Sequence, residues 1–481
     1  MFEPGAAPVK LTGGFVFTEG PAADPSGNVY FTDKPRTNIW KWSPSSGLSL
    51  WRTNSGGANG LFYWTNDCLY ACEEFFHRVT RLDAGQHLTV LVSNFNAKPF
   101  NTPNDLWVSP AGSIYFTDPY WPWNASPQGV CAVYWLGPGS TTATRVITDL
   151  LQPNGIVGTP DLKRLYVADD AGKTTYVYTI LTDGTVTNRR VFAPVQCDGM
   201  TLDTAGNVYL TDWAGTRNHL VVYDEDGRLL DQLSIPEDPQ NVVRGGTDGR
   251  TLYVTARTSL YAVRLAAVHH LRQGVNGYTH LATAIAQHAP TSSFTGEPTM
   301  PVGILPDQGE MRIVLSFPFT NIPTHHVITN ITLKLHTHEA STGLVTRLRL
   351  HRLLATPGPD VSWFIAQSNR PWVHPGGDYD PTPLAEIAGP ITAASAPLFF
   401  PCTTGLLAAA NAALAAGEPL NMLLLSDTNV PGALLLASSH HETWLYRPIL
   451  SIMEMVPEPM AAGLLALALG APFLTRAMSQ D

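Results

Sequence analysis

The stretch "GNVYFTD" (residues 27–33) returns along the chain as "DCLYACE" (67–73), "GSIYFTD" (112–118), "KRLYVAD" (163–169), "GNVYLTD" (206–212) and "RTLYVTA" (250–256). Each copy is a turn followed by a short apolar strand. The six tyrosines, Tyr30, Tyr70, Tyr115, Tyr166, Tyr209 and Tyr253, are 40, 45, 51, 43 and 44 residues apart, a period that suits four short antiparallel strands per unit. Between copies lie further alternating runs, "NIWKWSP", "HRVTRLD", "AVYWLG", "TYVYTIL" and "LVVYDEDGRLL", punctuated by Asp-Gly, Ser-Gly and Pro. One such unit cannot bury both its faces, so the units must pack around an axis. The pattern predicts an all-β, six-bladed β-propeller over residues 9–264, with equivalent positions of each blade at equivalent heights.

That symmetry gives meaning to a fixed offset. Eleven or twelve residues before each tyrosine stand Glu19, Asn59, Asn104, Asn154, Asp198 and Asn241. All six carry a side-chain oxygen, which predicts a ring of oxygens at one mouth of a central channel. Such a ring suits a hard divalent cation, above all Ca²⁺, with Zn²⁺, Mg²⁺ or Mn²⁺ as alternatives. Asn-Gly at Asn59 reads equally as turn chemistry, and Asp-Gly at Asp198 reads as a bend into the following strand.

Composition bounds the function. Of 481 residues 44% are hydrophobic and only 14% charged, with 40 Gly and 39 Pro, so the chain is globular and turn-rich. A formal net charge of −10 and the lack of a basic cluster argue against nucleic acid as a partner. Cys68, Cys72, Cys131, Cys197 and Cys402 form neither a CxxC pair nor a zinc spacing and read as buried thiols.

Residues 9–264 resemble the senescence-marker-protein/gluconolactonase/luciferin-regenerating-enzyme family. The resemblance is carried by "FTEGPAADPSGNVYFTD", "ANGL", "NTPNDLWVSPAGSIYFTDP", "QPNGIVGTPDLKRLYVAD", "CDGMTLDTAGNVYLTD" and "NVVRGGTDGRTLYVT". It implies a six-bladed propeller with one catalytic metal, held by Glu19, Asn104, Asn154 and Asp198. Asn59 and Asn241 then lie beside the ion, either as groups that support its ligands or as substrate contacts. Two stretches depart from the family pattern: "ACEEFFHRVTRLD" replaces a Gly-rich segment, and Trp121 and Trp123 of "DPYWPWN" reshape the mouth.

The chemistry implied is opening of a sugar lactone or similar cyclic ester by a calcium-dependent, lactonase-type carboxylic ester hydrolase. A cation with open positions polarises the ester carbonyl. Asp198 is the candidate general base, and metal-bound hydroxide is the competing nucleophile. His77 shuttles a proton if its loop reaches the channel, and otherwise packs or faces solvent. No nucleophile-elbow spacing points to a serine esterase. The alternative is a non-catalytic, calcium-binding surface propeller that binds carbohydrate.

After Leu265 the His- and Gln-containing stretch reads as a linker, residues 265–272. Strand-like runs then resume: "EMRIVLSFPF", "VITNITLKLHTH", "VTRLRLHRLL", "LNMLLLSD", "ALLLASS" and "PILSIMEM". "PLAEIAG" reads as a connecting segment and "TTGLLAAANAALAAG" as a short helix. Residues 273–455 resemble the DNRLRE β-sandwich of bacterial and archaeal surface proteins, through "RQGVNGYTHLATAIA", "MRIVLSFPFTNIPTHHVITNITLKLHTH" and "SSHHETWLYRPILSI". This implies a jelly-roll-like domain with a surface polysaccharide as partner. Trp363 and Trp372 either stack on sugar rings or seal the sandwich edge.

Residues 456–481 resemble the PEP-CTERM sorting signal. Val456, Pro457, Glu458 and Pro459 precede a short apolar run, a hydrophobic helix by its pattern, and a single Arg476 follows. The resemblance implies exosortase processing and an envelope or extracellular location in a Gram-negative-like bacterium, provided that a signal peptide precedes the first Met; otherwise the expectation is cytoplasmic.

Overall fold

The computed structural model describes residues 1–3, 5–121, 125–203, 206–213, 218–274, 278–320, 322–338, 345–391, 397–426, 432–441 and 447–455. Trp123 and the sorting-signal-like segment 456–481 lie outside these residues. The protein is all-β, with one α-helix among the described residues, and its contacts divide into two units, residues 1–266 and 267–481.

The first unit holds six four-stranded antiparallel sheets. Each repeat tyrosine sits on the second strand of its sheet. The sixth sheet joins Pro239–Gly245, Thr251–Ala256 and Ser259–Arg264 to the N-terminal strand Val9–Gly13, so distant parts of the sequence complete one sheet. The first strands, Thr18–Ala23, Ala58–Trp64, Leu106–Val108, Pro153–Gly158, Cys197–Leu202 and Pro239–Gly245, touch one another in that order, and the last touches the first.

Six apolar clusters hold this unit, each straddling two neighbouring sheets. Ala22, Tyr30, Leu61 and Leu69 join sheets one and two; Phe15, Phe31, Tyr253 and Leu260 join sheets six and one. The repeat tyrosine serves this junction twice over. Its ring fills the cluster, while its hydroxyl can reach the next sheet: Tyr253 Oη donates to Gly27 O at 3.1 Å and Tyr115 Oη to Gly184 O at 2.8 Å.

The Thr and Asp of the repeat have separate tasks. Asp33 Oδ1 accepts from the N–H groups of Val16 (3.1 Å) and Phe17 (3.2 Å). Asp118 accepts from Asn101 and Thr102, and Asp169 from Leu151 and Gln152, in the same way. These buried carboxylates clamp the segment that leads into each first strand, replacing the ladder bonds that segment lacks. The threonines latch the first strands themselves. Thr32 Oγ1 donates to Asn59 O, Thr211 Oγ1 to Gln240 O, and Thr255 Oγ1 to Asn241 O, at 3.2–3.3 Å.

In the second unit, a sheet built from Ala267–Arg272, Ile449–Met455, Val327–Leu335 and Leu398–Phe400 shares one core with a seven-stranded sheet. Two expectations are corrected here. The linker 265–272 contains a strand, Ala267–Arg272, paired antiparallel with Ile449–Met455. Its histidines conceal it, yet they belong to the sheet: His269 Nε2 lies 2.7 Å from Glu454 Oε1 and His270 Nδ1 lies 2.9 Å from Ser451 Oγ. "PLAEIAG" is no connection but part of the 13-residue strand Tyr379–Ile391. Pro381 and Pro383 are tolerated because that strand lies at the edge of its sheet, with register shifts along its length.

The expected helix is Thr404–Ala416, capped by the Thr403 side chain and ended by Gly417 at φ 68°. Trp363 and Trp372 are buried, Trp372 Nε1 donating to Ser362 O at 2.9 Å, so they seal this unit and offer no exposed face to a sugar.

Candidate active site

Five of the six first strands break register where the sequence arithmetic points; Leu106–Val108 of sheet three starts after Asn104 and pairs without a shift. The pairing shifts between Glu19 and Ala22, Ala58 and Leu61, Pro153 and Ile156, Cys197 and Met200, and Pro239 and Asn241. A bulge inserts an extra residue and re-aims a side chain out of the alternating pattern. Here it turns the oxygen-bearing residue toward the axis.

The glycine after the site residue is there for packing. Asp198 and Gly199 lie within the strand Cys197–Leu202, so the expected bend at Asp-Gly is corrected. A Cβ on Gly199 would fall 2.1 Å from Asn241 Cγ and 2.7 Å from Asn241 Cα; one on Gly155 would fall 2.4 Å from Asp198 O. Neighbouring sheets approach so closely at the axis that only hydrogen fits. Asn59 likewise belongs to a strand, Ala58–Trp64, with Gly60 N donating to Asn104 O at 2.7 Å.

The result is a cavity of about 300 Å³ at one mouth of the ring, lined by Glu19, Asn59, Asn104, Asn154 and Asp198 together with Phe17, Lys34, Trp121, Asp170, Trp213, Gln240 and Arg257. Five of the six ring positions therefore meet, and Trp121 stands in the wall. Asn241 does not line this mouth. It lines a cavity on the other side, donates from Nδ2 to Asp105 Oδ2 at 3.3 Å, and accepts the Val242 N–H at 2.8 Å. Asp105 and Asn241 come from sheets three and six, so this bond spans the axis beneath the mouth. His77 is also elsewhere. Its Nδ1 lies 2.5 Å from Asn101 O, where it pins the segment before Asn104, and it does not line the mouth.

The electrostatics of the mouth are unfavourable for these residues alone. Burial pushes the Glu19 carboxyl up to about 7 against the opposing pull of the Gly20 N–H, and Asp105 adds to the rise. Asp198 is raised well above the carboxylate range by burial first, then by Glu19 and Asp170. Asp105 is pushed to about 7 by burial despite its bond from Leu106 N–H. Asn154 Oδ1 is buried with no hydrogen-bond partner among the described residues. Three buried carboxylates, Glu19, Asp170 and Asp198, and the amide oxygen of Asn154 in one cavity form a hard-oxygen set of the kind a divalent cation neutralises, so the residues fit such an ion.

Sequence reasoning missed Asp105, Asp170, Trp213 and Arg257. The same arithmetic run forward would have found most of them. Four residues after each repeat tyrosine stand Lys34, Glu74, Pro119, Asp170, Trp213 and Arg257, and four of these six line the mouth.

Comparison with known proteins agrees with this architecture. The chain is 27% identical to a gluconolactonase of Zymomonas mobilis over 283 residues, 52% of this chain and 78% of that protein. It is 36% identical to a pentonolactonase of Haloferax volcanii over 121 residues, 24% of this chain and 41% of that protein. A solved gluconolactonase structure from Xanthomonas campestris superposes with a TM-score of 0.50 at 26% identity, covering 54% of this chain and 89% of that one. Residues 17–258 match the SMP-30/Gluconolactonase/LRE-like region, half of the chain, and the protein belongs to that family.

Proposed function

We propose that the first unit is a six-bladed β-propeller whose mouth hydrolyses a sugar lactone or similar cyclic ester with the help of one divalent cation, Ca²⁺ by the chemistry of its donors. The observation that carries this reading is the convergence of Glu19, Asn104, Asn154 and Asp198 on one cavity, with Asn154 Oδ1 left without a partner among the described residues. The names of the relatives, gluconolactonase and pentonolactonase, support the lactone. When bound, the cation would supply Lewis-acid polarisation of the ester carbonyl.

The remaining work falls to the chain. Glu19, Asn104, Asn154 and Asp198 would hold the ion, and the bond between Asp105 and Asn241 closes the floor beneath these side chains. Phe17, Trp121 and Trp213 wall the cavity and exclude water from the reacting ester. Asp198 accepts the proton of the attacking water, with Asp170 beside it. Asn59 reaches the substrate hydroxyls from the wall.

The second unit fits a β-sandwich, its two sheets sharing one core. An envelope location remains our proposal from the terminal segment and is tested by cell fractionation.

The experiment for the site is elemental analysis of purified protein with a lactone panel, with and without chelator. Hydrolysis lost on chelation and restored by Ca²⁺ is the expected outcome. Activity indifferent to chelator overturns the metal reading, and a metal-loaded protein that opens no lactone or ester overturns the enzyme.

A further inference from the structure

The ring four residues beyond each repeat tyrosine is polarised. Trp213, Arg257 and Lys34 come from sheets five, six and one, which are consecutive around the axis. Acidic Glu74 and Asp170 come from sheets two and four. Lys34 and Arg257 flank one segment: Lys34 N donates to Phe17 O at 3.1 Å, and Thr18 N donates to Arg257 O at 2.7 Å.

All three side chains are donors only. An ammonium, a guanidinium and an indole N–H cannot accept a hydrogen bond, whereas a sugar hydroxyl must both give and receive. Trp213 Nε1 is buried in the wall with no partner among the described residues. Lys34 is paired with Glu74. Arg257 uses only Nε, on Asp238 at 2.8 Å, and among the described residues no hydrogen bond engages its terminal nitrogens.

The backbone adds a second, independent observation. Ala256 pairs with Ser259, so Arg257 and Thr258 form a two-residue hairpin, and Arg257 takes φ 43° at its first central position. Glycine is the residue for that place. In sheet one the equivalent loop is longer, with Asp33 paired to Asn38. A strained arginine in a shortened loop is held over the cavity, and strain retained at a mouth is a sign of function.

We propose that Arg257, aided by Lys34 and Trp213, anchors an anionic group on the substrate, so that the lactone taken by this site carries a second, acidic function such as a carboxylate, phosphate or sulfonate. This inference rests on the lactone-hydrolase reading above. A guanidinium binds such a planar or tetrahedral oxyanion through two parallel N–H···O bonds, which fixes the ring's orientation toward Glu19 and Asp198.

The test compares kcat/KM for neutral glucono-δ-lactone, for glucarolactone with its free carboxylate, and for 6-phosphogluconolactone. The expected result is a preference of about tenfold or more for a charged lactone, weakening with added salt. Carboxylate and phosphate arms show which oxyanion is meant. In Arg257→Gly the preference falls toward one, while the melting temperature holds or rises because glycine relieves the backbone. No preference in the native protein, or a preference that survives Arg257→Gly, overturns the proposal. If no lactone is opened at all, the hydrolase reading fails separately. Calorimetric binding of glucarate against gluconate to the Ca²⁺-loaded protein then decides this one: tighter glucarate binding lost in Arg257→Gly supports it, and equal binding overturns it.

Discussion

Replacing Gly199 by alanine pits two physical effects against each other. If Gly199 made a bend with open space around it, alanine would restrict the unfolded chain and stabilise the fold by roughly 0.4–1 kcal/mol. The structure gives the opposite sign. The new Cβ would meet Asn241 Cγ and Oδ1 at 2.1 Å and Asn241 Cα at 2.7 Å. Rotation of the asparagine cannot relieve a clash with its own Cα. That strand is also latched by Thr255 Oγ1 on Asn241 O at 3.3 Å. Sheets five and six must move apart at the axis, an overpacking that costs about 1–3 kcal/mol. For a unit of this size each kcal/mol lowers the melting temperature by roughly 2–4 °C, so a fall of about 4–8 °C is expected for a net loss of about 2 kcal/mol. Differential scanning calorimetry reads it directly. Gly405→Ala is the matched control, since its nearest neighbour, Leu384 O, is 3.4 Å away in ordinary contact and the site lies in a helix. That variant should gain up to about 1 kcal/mol. A Gly199→Ala protein as stable as the native one would refute the claim that close approach of the sheets selects this glycine.

Asp198, His280 and Thr403 carry three further predictions. Asp198→Asn removes one of the carboxylates that repel in the mouth, so in chelator it should be more stable than the native protein, by about 1–3 kcal/mol, yet gain nothing from Ca²⁺; thermal melts with and without the ion test both halves. His280 stacks on Phe317 at 4.6 Å with neither ring nitrogen partnered, and burial pushes it down to about 3. Its neutral form is the folded one, so its contribution is intact above pH about 6.5 and declines as pH falls toward 3, at about 1.4 kcal/mol per pH unit; in His280→Leu that part of the acid slope should vanish from urea melts. Thr403→Ala strips the helix N-cap, whose side chain accepts Leu406 N–H at 3.0 Å, and should cost about 1 kcal/mol by the same measurement.

Much of the site was legible because a repeat fold converts spacing into geometry. The eleven- or twelve-residue offset selected Glu19, Asn59, Asn104, Asn154 and Asp198 without any knowledge of contacts, and the structure brings all five to one cavity. Asn241 shared the offset but sits beneath the mouth, beside Glu19, rather than in its wall. Its side chain is drawn to Asp105 across the axis, and Asp105 stands where four other sheets have glycine. His77 had suitable chemistry but sits in a loop whose course follows from packing against the segment before Asn104. The strand Ala267–Arg272 was invisible because its partner lies about 180 residues away and its two histidines find their partners there.

What the sequence determined by itself was the set of equivalent positions: six tyrosine-centred strands, the oxygen-bearing residue before each, and the β class that period-two patterning enforces. Those are local and periodic properties, and periodicity survives in one dimension. The tertiary structure decided what equivalence cannot contain. It showed that Asp198-Gly199, Asn59-Gly60 and Asn154-Gly155 lie in bulged strands and that their glycines answer to a neighbouring backbone. It showed that three carboxylates share one desolvated cavity, and that donors gather on one arc of the rim. Each of these depends on distances between different sheets, which close packing around an axis fixes and spacing along a chain does not.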